Sequence, residues 1–263
     1  MGINKWQWAG GAALIGLIGL AACSESTAPE DEALLALVAD QAAAATAEQV
    51  GMMRRPGIPG WGFPHLTVRG VDTTPDCPME GSTYVCTFGR GGVETTVEIT
   101  FLDGSGQAQA AYDESTTASV HMTSASERSF TREAATGFSM RSADLTVSGL
   151  EGAETTRTWT GTASGESTRS SDERGTSAMT FLSEMNEVVI PHPRQDDSWP
   201  ISGTIRSTVS GTFTDPEGIV TQVDRDLTVE FNGTQFPTAT LNGEAVELDL
   251  ASRRGHMQRG HHK

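Results

Sequence analysis

The densest set of chemically able side chains stands in "IPHPRQDDSWP", where His192, Arg194, Asp196, Asp197 and Trp199 follow one another between two apolar runs. The set joins a titratable donor, a cation, paired carboxylate acceptors and an aromatic wall, which is the equipment of a binding loop. Two prolines and a carboxylate pair equally describe a rigid, solvated connection, so the spacing alone leaves both readings open. The other histidines are more scattered. His65 follows a proline at a strand start, and His121 alternates with Val120 and Met122 as a surface or half-buried strand residue would. Asp215 and Glu217 in "TDPEG" read as a turn before a cation site. His256, His261 and His262 in the tail could hold zinc or nickel weakly, or simply belong to a disordered basic end.

No G-x-S-x-G elbow, S-x-x-K, H-E-x-x-H, phosphate-binding loop or dinucleotide fingerprint occurs. The chain is therefore read as a binding or interaction module without catalytic turnover and without a cofactor. A hydrolase whose acidic site lies on scattered residues is the alternative class. A carrier of a hydrophobic ligand is a special case of the first.

Cys77 and Cys86 lie in "DCPMEGSTYVC", with the turn residues Glu80, Gly81 and Ser82 midway. A disulfide between them would staple a hairpin and contribute roughly 2–3 kcal/mol in the loop-entropy account. No third or fourth ligand stands at a zinc-like spacing beside them.

The third cysteine, Cys23, ends an apolar run. Ala9 to Leu20 carry no charge and are too few to span a bilayer, which takes roughly 20 apolar residues, but suit the apolar core of a secretory signal. Residues 20 to 23, "LAAC", resemble the lipobox of bacterial lipoproteins. The resemblance covers residues 1–23 only. It implies cleavage after Ala22, acylation of Cys23, and attachment of the mature chain to a membrane through its N-terminal lipid. In that family Ser at the next position, here Ser24, goes with export to the outer membrane. An oxidising envelope compartment also suits the Cys77–Cys86 bridge, since the lipid takes the odd cysteine.

Charge narrows the partners. The formal net charge is −16; loss of Lys5 with the signal gives −17, and setting aside the four cations of the tail, Arg253, Arg254, Arg259 and Lys263, leaves −21 on residues 24–250. Such a body repels nucleic acid and anionic lipid surfaces, which leaves an envelope protein or a ligand as partner.

The elements that must position these residues follow from periodicity. Residues 23–29 are a polar, acidic tether. Residues 30–55 are helical by propensity, with Thr27 and Glu30 as a capping box, Arg54 and Arg55 at the last turn, and a thin apolar stripe of Leu34, Val38, Ala42, Ala45 and Gln49. From 56 to 250 the pattern is period two. Val93, Thr95, Val97, Ile99 and Phe101 share one face, as do Ile205, Val209 and Phe213, and Val223, Leu227, Val229 and Phe231. Asn242-Gly243 marks a type I′ hairpin. Strands follow one another without room for crossover helices, so the fold is expected to be mainly β, an antiparallel meander forming a half-open barrel or a sandwich. Residues 151–176 carry Thr156, Thr158, Thr160 and Thr162 on one face and few large apolar side chains besides Trp159, which predicts thinly covered middle strands or a protruding edge hairpin. Residues 251–263 are a basic tail containing histidine.

Overall fold

The computed structural model describes residues 46, 47, 49, 50, 53, 77–90, 93–132, 135–152, 154–172, 175–192 and 198–257. The signal, Cys23, the tether, most of the helix expected over 30–55, and His65, Arg194, Asp196, Asp197, His261 and His262 lie outside them.

Alternation of apolar and polar residues produces what it should, an antiparallel sheet with one dry face. The strands in chain order are β1 (Met79–Glu80), β2 (Thr83–Arg90), β3 (Val93–Asp103), β4 (Ala108–Gln109), β5 (Thr117–Arg132), β6 (Ala135–Ser148) and β7 (Thr156–Ser171). They continue as β8 (Gly175–Pro191), β9 (Ser202–Thr214), β10 (Val220–Glu230), β11 (Thr238–Leu241), β12 (Glu244–Asp249) and β13 (Arg254–Met257). All belong to one sheet whose spatial order is the chain order, with β4 set aside against β3. Every ladder is antiparallel, and among the described residues none joins β1 to β13. The result is an open meander of the kind from which half-open barrels and sandwiches are built.

Cys77 and Cys86 are bonded, with Cα atoms 5.1 Å apart. The bridge closes the β1–β2 hairpin, where Met79 faces Tyr84 and Glu80 faces Thr83 across the turn at Gly81. The Asn242-Gly243 pair turns between β11 and β12 with φ of 50° and 82°, as a type I′ hairpin requires.

One face of the sheet, here called inner, holds the core. Ile99 and Phe101 of β3, Val120 and Met122 of β5, Leu145 and Val147 of β6, Trp159 of β7, Val188 and Ile190 of β8, Ile205 of β9 and Val229 of β10 are buried there. These positions all lie in the same half of their strands. Above them runs a row of small residues in direct register: Ser124, Ala143, Ala163, Ser183 and Ser207. Small side chains let another backbone approach the sheet, and helical residues use the opportunity. Thr46, Ala47, Val50 and Met53 have helical backbone and are buried, the last three within the core cluster, while Gln49 Nε2 donates to Ser183 Oγ at 3.2 Å. Of the stripe expected from the sequence only Gln49 is described, and the buried Val50 stands one residue on from it, about a quarter turn around the helix. The stripe ended on Gln49, which is half-buried and bonds through its amide; the apolar anchors are one residue on.

One open alternative is decided and one boundary is refined. The segment 151–176 forms β7, which lies in the middle of the order rather than at an edge, so the thinly covered middle strand is the alternative realised. The basic tail begins later than residue 251. Asp249 accepts from the Ala251 and Ser252 amides and the Ser252 hydroxyl, which turns the chain, and β13 then pairs along β12.

Candidate functional site

Strands β5 to β9 run far past the small-residue row, and among the described residues the core cluster does not extend behind their distal halves. Register alone fixes what each face presents there. On the inner face Arg141, Gly165, Phe181, Val209 and Arg225 form one row. Arg128, Ser139, Ser167, Met179, Gly211 and the buried Val223 form the next, and Phe130, Gly137, Arg169, Ser177 and Phe213 the one beyond it. The carboxylates of the same strands, Glu127, Asp144, Glu166 and Glu184, alternate onto the outer face, with Asp224 and Asp226 of β10 beside them. Among the described residues no carboxylate sits on the distal inner face.

The packing of this face is built on glycine. A Cβ at Gly137, Gly165 or Gly211 would collide with Phe130, Phe181 or Met179, each lying across the glycine from the neighbouring strand. The rings thus lie down on the sheet, where guanidinium groups reach them. Arg128 stands 5.8 Å from the Phe130 centroid and Arg141 5.7 Å from that of Phe181. Phe130, Met179, Phe181, Val209 and Phe213 are only half-buried, whereas Arg141 is exposed. Among the described residues the single ion pair is His121–Asp144 on the opposite face.

Of the sequence-predicted loop only the two ends are described, and Arg194, Asp196 and Asp197 lie outside the described residues. His192 and Trp199 are described, and Trp199 packs on the core. The His192 amide donates to the Thr155 carbonyl at 2.7 Å, and its Nε2 lies 3.3 Å from Arg157 Nη2. A guanidinium only donates, so Nε2 accepts and the ring proton of neutral His192 sits on Nδ1. Burial, and then the Arg157 charge, push the His192 pKa down. Burial lowers Arg157 as well, with Tyr112 acting in the other direction, and raises Tyr112. Tyr112 donates to the Leu150 carbonyl at 3.2 Å. His192 therefore has a cation, not a carboxylate, as its described neighbour, which makes it a poor general base.

The outer face carries a shallow polar depression of about 330 Å³ on β3, β5, β6 and β7, lined by Thr96, Glu98, Thr123, Ser142, Asp144 and Thr162 among others. His121 Nε2 bonds Asp144 Oδ1 at 2.8 Å, but their side chains are 39% and 65% exposed, and among the described residues no hydroxyl bonds His121. The pair lacks the nucleophile and the dry surroundings that such a pair needs for hydrolysis. Among the described residues no group of three or more His, Cys, Asp or Glu is placed to hold a metal ion.

No protein-family model, curated protein or solved structure matches the chain.

The distal inner face went unread in the sequence, although its signal is there. Arg128 and Phe130 share the parity of Val120 and Met122, and Arg141 that of Leu145 and Val147. Counting arginine only toward net charge hid which face it occupies.

Proposed function

We propose that this chain is a lipid-anchored envelope protein, held at the outer membrane through Cys23, that works as a non-catalytic binding module, with the distal inner face of its sheet as the binding surface. The lipobox-like "LAAC" and Ser24 support the anchor. The single observation behind the module is the segregation of charge by face. In an acidic protein, arginine and phenylalanine are gathered on the distal inner face, where the described strands place no carboxylate and outside which the described core cluster lies. The apolar half of the inner face is filled by its own side chains and by the helical residues, which leaves the distal half as the surface for a partner.

Two measurements test this. Alkyne fatty acid should label the wild type and not Cys23→Ser, and the variant should move to the soluble envelope fraction. A photo-crosslinking residue placed at Met179, on the inner face, should give discrete products in cells, while one at Thr180, on the outer face, should not. Equal products from both positions would remove the face from the reading. Turnover of ester, glycan or peptide substrates by the purified chain, abolished by His121→Ala or Asp144→Ala, would replace it with the hydrolase.

A further inference from the structure

On the distal inner face, arginines flank a central apolar strip. Phe181 and Met179 of β8 lie next to Val209 and Phe213 of β9, a strip two strands wide, about 10 Å, and three residue rows long, about 13 Å. Arg128, Arg141 and Arg169 occupy the three adjoining strands on one side, β5, β6 and β7, with Phe130 beside Arg128, and Arg225 of β10 faces Val209 on the other. Arg141 touches the strip directly, since its guanidinium faces the Phe181 ring across Gly165. No described carboxylate neutralises Arg128 or Arg141, and Arg128 Nε is shielded from water without a hydrogen-bond partner.

A uniform polyanion would be matched by an even field of cations. A neutral hydrophobic molecule would gain nothing from guanidinium groups beside its site. A molecule with an anionic head at one end and an alkyl chain at the other matches both halves. We propose that this face binds a single-chain anionic lipid as a monomer, its carboxylate or phosphate head paired with Arg141 and Arg128 and its chain laid along Phe181, Met179, Val209 and Phe213. The half-burial of these apolar side chains leaves part of their surface for one alkyl chain to cover. The acidic outer face meanwhile disfavours approach of the same lipid from the other side. This inference rests on the binding-module reading and names its ligand class.

The test uses the full mature chain with Cys23→Ser, which needs no detergent, and dodecanoate as the probe, with dodecanol as its neutral counterpart. Calorimetric titration should give one saturable site for dodecanoate and at least about tenfold weaker binding of dodecanol. Arg128→Gln with Arg141→Gln should weaken dodecanoate at least about tenfold while Glu127→Gln with Glu166→Gln on the outer face leaves it unchanged. If the arginine variant does not fold, a photoreactive dodecanoate on the unsubstituted sheet decides, because its label should map to β8 and β9. Absence of saturable dodecanoate binding, label mapping elsewhere, or association only with phosphatidylglycerol vesicles or with polyglutamate would each overturn the proposal. If dodecanoate fails while the Met179 crosslinks persist, the ligand class falls and the binding module stands; if both fail, the module falls too.

Discussion

At the residue scale, two groups make opposite demands on the solvent. The Cys77–Cys86 bond acts on the unfolded chain by closing a short loop around the β1–β2 turn. Replacing both cysteines by serine should cost about 2–3 kcal/mol in denaturant unfolding and leave a protein whose melting no longer responds to reductant. His192 acts on the folded state. Its pKa is depressed by burial and by Arg157, so between about 6.5, the ordinary value, and the lower folded value the unfolded chain binds the proton more readily. The stabilising bias toward neutral His192 is complete above about pH 6.5 and is lost as the pH falls through that window. Stability measured from pH 7 to 5 should decline, and His192→Gln, whose amide oxygen can still accept from Arg157, should flatten part of that decline. A parallel pH profile in the variant would show that other groups govern it.

At the scale of elements, the small-residue row is what admits the helical segment. Ser183 binds both Gln49 and, at 3.0 Å, the Ser207 hydroxyl, so a polar seam sits between two apolar contacts. Val50 is 1% exposed and has no polar role, which makes Val50→Ala a clean measure of docking. Two lost methyl groups and the space they leave should cost about 2 kcal/mol in chemical denaturation. The helical propensity of residues 30–55 was legible because alanine and leucine dominate it. The docking face was not, because the stretch is so rich in alanine that several stripes are nearly equivalent, and only the sheet's row of serines and alanines chooses among them.

Across the whole molecule the sheet is divided along its strands into a half with a core and a half without one. Among the described residues Trp159 is the largest fully buried side chain, placed on a strand made mostly of Thr, Ser and Gly. Trp159→Ala should cost about 3–5 kcal/mol. Hydrogen exchange should show the division directly: slow amides around Val97–Phe101, Leu145–Val147 and Val188–Ile190, and much faster ones in the hairpin arms at 128–138 and 166–180. Uniform protection from core to tips would mean that the arms are stabilised by more than their ladders. Lower stability there would serve the proposed role, since a surface that takes up a ligand must be able to adjust.

The amino-acid sequence determined the strand pattern, the antiparallel meander, the disulfide and the Asn242-Gly243 turn, because each depends on residues close in the chain: alternation, turn preference and a short loop. It also determined the acidic charge. Tertiary structure alone decided which side of the sheet each charge faces in the assembled rows, since Arg141, Gly165 and Phe181 become neighbours only when three long strands take one register. It decided likewise that His192 meets Arg157, a contact between the end of β8 and the start of β7 that follows the register shift of that ladder between Trp159 and Gly161.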